Sequence, residues 1–217
     1  FTGSFSVGKI IAKKAAPKLC PVTLELGGKN PNIIMSDADL DIAIQGVIDG
    51  MRYTRQGQAC TAGSRVYIQE KIYDKVINGV VEKLSKLKMG NALDEGSDIG
   101  AIISEEQLKR TLHYMDIAKQ TSSAKVVHGG NQPTGGDYKN GFFYEPTLMS
   151  GVPVDSPVCQ EEIFGPVACA IPFKTFEEVM QSANDTPFGL SAVLWTQNLS
   201  RALAVSYTHL RAHETLD

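Results

Sequence analysis

Cys60 is the cysteine of this 217-residue chain whose surroundings suit a nucleophile. It stands in the polar, glycine-bearing run Arg55-Gln56-Gly57-Gln58-Ala59-Cys60-Thr61-Ala62-Gly63, where small neighbours leave room around the sulfur. A loop thiol of this kind can be approached by a flat electrophile, whereas a structural cysteine usually sits inside an apolar run. Composition alone leaves both readings open. Cys20, Cys159 and Cys169 read as small packing residues, Cys169 because it lies inside the apolar run Val167 to Ile171.

Glu25 lies between Leu24 and Leu26, just before Gly27-Gly28. In a strand its carboxylate points away from those apolar neighbours, and a desolvated carboxylate there would have a raised pKa and serve as a general base. The alternative is a solvated surface glutamate with Lys29 as its neighbour. Glu161 and Glu162 precede Ile163-Phe164-Gly165-Pro166 in a turn, where an acidic pair is ordinarily solvated. The histidines (His113, His128, His209, His213) are dispersed, and Leu210 stands where a zinc hydrolase would place a glutamate after the first histidine of an i, i+4 pair. No metal site is expected. There is no Walker-type loop, and Gly3 with Gly8 is too sparse for a dinucleotide fingerprint on its own.

The elements that must position these residues alternate in type. Ser4 caps a helix with its body from Val7 to Ala16, ended by Pro17. Pro21 to Leu26 and Asn32 to Met35 read as short strands either side of a glycine-rich corner, and Ser36 to Asp39 supply the cap and acidic start of a helix to about Met51. The loop Arg52 to Ser64 carries Cys60 into a strand at Arg65 to Gln69 and an amphipathic helix at Tyr73 to Leu87. A helix at Ser104 to Gln120, a strand at Ala124 to Val127, a loop at Gly129 to Gly141 and an extended stretch at Phe142 to Met149 follow. A strand at Ala168 to Phe173, a helix at Phe176 to Ala183, a strand at Leu190 to Thr196 and a helix start at Leu199 complete the series. Strands alternating with helices predict an α/β fold with crossover connections.

Composition bounds the function. With 42% hydrophobic and 21% charged residues the chain can bury a sizeable core, and a formal net charge of -3 with no isolated basic stretch argues against nucleic acid as a partner. No run of about eighteen uncharged apolar residues suggests a membrane span. Four scattered cysteines without a C-x-x-C pair suit a reduced, cytoplasmic setting better than a disulfide framework. The chain begins without Met, on Phe1-Thr2-Gly3-Ser4, which reads as the end of a strand entering a turn, so its start is expected upstream.

Taken together, Leu24-Glu25-Leu26-Gly27-Gly28-Lys29-Asn30-Pro31, Gly57-Gln58-Ala59-Cys60 placed 35 residues after Glu25, and Glu161-Glu162-Ile163-Phe164-Gly165-Pro166 resemble the glutamate, cysteine and cofactor-contact motifs of the aldehyde dehydrogenase superfamily. Phe1-Thr2-Gly3-Ser4 and Pro187-Phe188-Gly189-Leu190-Ser191 resemble further family patterns, so the likeness covers roughly residues 1 to 205. It implies an open α/β catalytic domain with flanking helices over residues 28–205, preceded over 1–27 by the last strand and helix of a Rossmann-like cofactor domain. It also implies that NAD or NADP oxidises an aldehyde to a carboxylic acid, with Cys60 forming a thiohemiacetal and then a thioester, and with Glu25 activating the water that releases the acid. An oxyanion would be held by the Cys60 N–H and an upstream Asn not present in this chain. By the same resemblance Gly3, Ser4 and Gly8 meet the pyrophosphate, Leu26 and Phe164 the nicotinamide, and Glu162 its ribose. Phe5 departs from the Thr the family often has there.

The implied partners are a small aldehyde and further copies of the chain, as a homodimer or homotetramer. Residues 206–217 do not resemble the family and read as a foreign tail. The alternatives are an acylating enzyme that passes its thioester to coenzyme A, and a truncated protein that folds without catalysing. The isolated chain is expected to lack dehydrogenase turnover while Cys60 retains weak ester hydrolysis.

Overall fold

The computed structural model describes residues 1–205. Its centre is a six-stranded sheet built from β1 (Pro31–Ile34), β2 (Arg65–Gln69), β3 (Lys125–His128), β4 (Thr147–Ser150), β5 (Val167–Phe173) and β6 (Val193–Trp195), in the order β3-β4-β5-β2-β1-β6. Every neighbouring pair is parallel except the edge pair β3 and β4, which is antiparallel. Parallel strands need crossovers, and helices supply them on both faces. These are α1 (Phe5–Ala15), α2 (Leu40–Gly50), α3 (Tyr73–Leu84), α4 (Glu105–Lys119), α5 (Pro157–Gln160), α6 (Phe176–Asn184) and α7 (Leu199–Ala204).

Strand periodicity divides the core in two. Ile33, Tyr67, Cys169 and Ile171 face a layer formed by α4, α5 and α6, where Met115, Val158 and Val179 meet them. Ile34, Val66, Ile68, Ala168 and Ala170 alternate to the other face, against Val47 of α2 and Val76, Val80 and Leu84 of α3. Because both faces are covered, β1 is buried along its whole length. The helix starts follow capping chemistry: the Ser104 hydroxyl accepts from the Gln107 N–H at 3.2 Å, and Thr175 with Glu178 closes a reciprocal capping box. Asp39, not Ser36, caps α2, accepting from Asp41 and Ile42.

The elements expected from Arg65 onward all form, α3 ending three residues earlier, at Leu84, and the last strand shrinking to Val193–Trp195. Pro21 to Leu26 differs. It pairs with residues 1–3 through a bridge between Glu25 and Thr2, made by the Gly3 N–H to Glu25 O at 3.0 Å and the Glu25 N–H to Phe1 O at 2.9 Å, and through the Phe1 ammonium, which donates to Thr23 O at 2.7 Å. With residues 1–3 as its only ladder partner, it gains too few backbone bonds to extend into a strand. The expected foreign tail, with His209 and His213, lies outside the described residues.

Candidate active site

The loop that presents Cys60 reverses sharply after α2. Arg52 and Gln56 adopt φ of 57° and 56°, and Gly57 takes 64°. The glycine is required there twice over, since a side chain would strain that backbone and its Cβ would sit 2.3 Å from the Gly165 carbonyl oxygen. Cys60 itself is half-buried. Its carbonyl accepts from Asn30 Nδ2 at 2.7 Å, and the same amide donates to Ala62 O at 3.0 Å, while Asn30 Oδ1 accepts from the Ser191 N–H at 3.0 Å. One buried side chain thus ties the Cys60 loop to the segment after Glu25 and to the chain entering β6. No acceptor among the described residues takes the Cys60 N–H, which leaves that donor available beside its own sulfur.

Gly27 and Gly28 explain why the three motifs meet. A Cβ at Gly28 would lie 2.5 Å from Cys60 O, and one at Gly27 would lie 2.2 Å from a Glu162 carboxylate oxygen. The absence of side chains lets the cysteine loop and the glutamate close on the same short stretch of backbone. Glu162 Oε1 accepts from the Gly28 N–H at 3.1 Å. Removal from water raises the pKa of Glu162, with the Gly28 bond, Arg110 and Lys29 pulling the other way. A crevice with room for no more than about one water molecule lies between the motifs, lined by Gly28, Gly57, Ala59, Glu162 and Phe164 among others.

The sequence reading missed the residues that hold Glu162 in place. They are on α4. Gln107 Nε2 donates to Ile163 O at 2.9 Å and Phe164 O at 2.8 Å, Arg110 donates to Glu162 O, and the Tyr114 hydroxyl donates to Glu161 Oε2 at 2.7 Å. These donors recur at i, i+3 and i+7, so they form one face of the helix. That spacing was visible, but what the face would meet was not. Phe164 is held at φ of 58°, a left-handed conformation uncommon for a bulky residue, and the Gln107 bonds on both sides stabilise it.

Arg65, at the start of β2, is the second unanticipated clamp. It is 1% exposed and donates to Lys29 O at 2.8 Å, Tyr67 Oη at 3.1 Å, Ser182 O at 3.2 Å and Ala183 O at 2.8 Å. Lys29 is buried beside it, and that burial pushes its ammonium pKa down to about 8. Tyr53 is fully buried and donates to Thr147 O at 3.0 Å; burial raises its pKa. Of the three cysteines read as packing residues, Cys159 and Cys169 are buried, whereas Cys20 is exposed just beyond the end of α1.

The residues expected at the pyrophosphate, Gly3, Ser4 and Gly8, lie at the start of α1. Ser4 caps the helix, accepting from the Val7 N–H, and its first turn holds no acidic side chain. Gly8 packs against Leu26, whose Cδ2 would be 2.6 Å from a Cβ at that position. Gly3 is hydrogen-bonded to Glu25 as described. An exposed, uncompensated N-terminus on an 11-residue helix favours an anionic group. The Glu25 carboxylate is exposed and makes no hydrogen bond or ion pair among the described residues, so the desolvated setting expected for it is not supplied by them. No group of three or more His, Cys, Asp or Glu among the described residues is arranged to hold a metal ion, and none of their helices is long and apolar enough to cross a membrane.

Comparison with known proteins agrees with this geometry. The sequence model of the aldehyde dehydrogenase family matches residues 1–211. A putative aldehyde dehydrogenase, DhaS, of Bacillus subtilis is 43% identical over 202 residues, which is 93% of this chain and 40% of that protein. Among solved structures, betaine aldehyde dehydrogenase of Staphylococcus aureus in complex with NAD+ superposes with a TM-score of 0.92 at 38% identity, covering 98% of this chain and 42% of its own. The NAD+ complex of an aldehyde dehydrogenase from Bacillus cereus gives 0.91 at 40% identity, with 98% and 42% covered. The chain therefore spans about two fifths of the length of these relatives.

Proposed function

Because the chain belongs to the aldehyde dehydrogenase family, we propose that it carries the nucleophile and general base of an enzyme that oxidises an aldehyde to a carboxylic acid with NAD or NADP. The observation that supports this most directly is the convergence on Gly27-Gly28 of the Cys60 loop and Glu162, two segments separated from it by tens of residues.

In this reading the Cys60 thiolate attacks the carbonyl carbon, and the negative charge that develops on oxygen is met by the Cys60 N–H, the donor left unpaired by the fold. When bound, the nicotinamide nucleotide supplies the hydride acceptor that allows the thiohemiacetal to become a thioester. Glu25 takes a proton from water as that water attacks the thioester, and its exposure leaves room for the water to reach it. Gly3, Ser4 and Gly8 suit a pyrophosphate, since they form an exposed helix start without a competing carboxylate. Leu26, Glu162 and Phe164 would orient the nicotinamide end, Glu162 through a carboxylate already fixed by the Gly28 N–H. Residues 1–27 then belong to the cofactor-binding part and 28–205 to the catalytic part. The proposed partners are a small aldehyde and further copies of the same protein, in a reducing cytoplasmic setting that keeps Cys60 free.

Aldehyde-dependent formation of NADH or NADPH by an enzyme that carries this chain at the full length of its relatives, run beside its Cys60→Ala variant over aldehydes of increasing length, tests the reading. We expect turnover that the variant lowers by about 10⁴-fold or more. A folded enzyme that is inactive with every aldehyde and both nucleotides, or a variant that retains its rate, would overturn it.

A further inference from the structure

Asn30 takes no part in the proposed chemistry, yet its amide is committed entirely to the Cys60 loop and to the chain entering β6. The side chain is 3% exposed. Its Nδ2, which carries two hydrogens, donates to Cys60 O at 2.7 Å and to Ala62 O at 3.0 Å, while Oδ1 accepts from the Ser191 N–H at 3.0 Å. A reversed amide would set oxygen against two carbonyls and hydrogens against an N–H, so these three partners permit one orientation.

The two carbonyls belong to a turn. The Ala62 N–H donates to Ala59 O at 3.1 Å, which makes Cys60 and Thr61 the central pair. That bond ties only the ends. The peptide units between them remain free to tilt, and Cys60 carries the two groups whose aim matters: its sulfur, and an N–H with no acceptor among the described residues. Asn30 grips the turn on either side of Thr61, at its centre and at its end. The packing behind it is equally close, since a Cβ at Gly28 would lie 2.5 Å from Cys60 O and 2.8 Å from Asn30 Oδ1.

We infer that Asn30 is a positioning residue that aims the Cys60 N–H at the oxygen of a carbonyl under attack by the Cys60 sulfur. The inference rests on Cys60 being the nucleophile. Asn30 itself touches no reacting atom, because protein carbonyls occupy both of its amide hydrogens. When the sulfur attacks, an S–C bond forms and the carbonyl π pair moves onto oxygen, where a donor helps only if it is already in place. Sulfur and donor lie in one residue, so their relative aim follows the backbone of Cys60, and that backbone is what Asn30 holds. Alkylation by iodoacetamide makes no such demand. There the S–C bond forms as the C–I bond breaks, iodide leaves with the electron pair, and no charge gathers on an oxygen. Acyl transfer therefore depends on Asn30 far more than alkylation of the same sulfur does.

The test uses an enzyme that carries this chain at the full length of its relatives, without nucleotide. First-turnover release of p-nitrophenolate from p-nitrophenyl acetate reports acylation, and alkylation of the Cys60 peptide by iodoacetamide is timed in parallel by mass spectrometry. Both rates are taken on the folded fraction from gel filtration. In Asn30→Ala we expect acylation slower by about 10²-fold and alkylation by no more than several-fold. Asn30→Asp keeps the volume and the acceptor for Ser191 but withdraws the paired donors; it should show the same imbalance, and it decides the matter if the alanine variant does not fold. A general loosening of the fold moves both reactions together, so equal losses, or acylation at the parental rate in either folded variant, would overturn the inference alone. Release of p-nitrophenolate that survives in Cys60→Ala would remove the nucleophile, and with it both the proposed function and this inference.

Discussion

The region around Cys60 and Glu162 and the region around Glu25 are held in opposite ways. Cys60 sits among positions with several independent constraints: Asn30 bonds two carbonyls of its loop, Gly28 leaves no space for a side chain, and Arg65 secures Lys29 O from within the core. Glu162 is braced by three side chains of one helix as well as by the Gly28 N–H. Residues 1–26, in contrast, are mostly exposed; backbone bonds at Phe1, Gly3, Thr23 and Glu25 join their two ends to each other, and Phe5 meets Phe188 edge-on with ring centroids 6.0 Å apart. The geometry of Cys60 is therefore determined by packing, while Glu25 and the helix start are positioned locally and remain adjustable. Substitutions in the two regions should consequently differ in kind. Near Cys60 they should cost stability, and near Glu25 they should change chemistry while leaving the fold intact.

Glu25→Gln tests the second half of that contrast and carries the largest expected effect among the variants that keep Cys60. Loss of a general base is expected to slow turnover by about 10²- to 10⁴-fold, with unchanged thermal unfolding because the carboxylate has no partner among the described residues. Mass spectrometry of the variant during turnover should show an acyl group retained on Cys60. A variant that unfolds at lower temperature, or that turns over without accumulating the acyl species, would break the comparison.

Arg65→Met tests the first half. Four acceptors lose the Arg65 guanidinium, Ser182 O keeping only the Tyr67 hydroxyl, so unfolding in urea should show a loss of about 3–5 kcal/mol. Some reactivity of Cys60 toward iodoacetamide should be lost with it, since Lys29 O and the Gly27-Gly28 segment are no longer anchored. Equal stability of variant and parent would mean the core tolerates the loss by admitting water, and the rigid description of this region would fail.

How far the sequence revealed this division depends on the type of interaction. Apolar periodicity located Arg65–Gln69 and the start of α3 because their residues face a layer whose chemistry repeats along the chain. The motif segments were also visible, through their glycines and spacing. The braces were not, since Gln107, Arg110 and Tyr114 on α4 look like an ordinary solvated face until the Glu162 loop is folded against them. Arg65 was hidden for a similar reason: a charged residue at a strand start reads as exposed, and the acceptors that make its burial tolerable include the distant Lys29, Ser182 and Ala183 carbonyls. Pro21 to Leu26 had strand-like composition but lacked a neighbouring ladder, a property no local pattern contains.

Lys29→Met sharpens the contrast from within the rigid region. Burial holds the folded-state pKa near 8 against an ordinary 10.5, so the folded protein binds the proton more weakly than the unfolded chain. The stability cost of the charged form is fully present below pH 8 and is relieved as pH rises from about 8 to 10.5. The variant should therefore be more stable than the parent by on the order of 3 kcal/mol at neutral pH, and the gap measured by urea unfolding should close across that window. A gap independent of pH would show that the ammonium is better solvated than its burial implies.

The smallest effects come from a matched pair of glycines. Gly28→Ala forces a Cβ to within 2.5 Å of Cys60 O, a backbone atom held in turn by Asn30, so neither side can move cheaply. A loss of about 1–3 kcal/mol is expected, with slower alkylation of Cys60 as the displaced loop turns its sulfur. Gly8→Ala creates a contact of similar closeness, 2.6 Å, but against the methyl end of Leu26 in the exposed region. That side chain can rotate, and alanine favours the helix over glycine by about 1 kcal/mol. Unfolding of Gly8→Ala should consequently match or exceed the parent, while nucleotide binding weakens because Leu26 has shifted. If the two alanines cost the same, contact distance alone sets the penalty, and the distinction between a braced and an adjustable region would be lost.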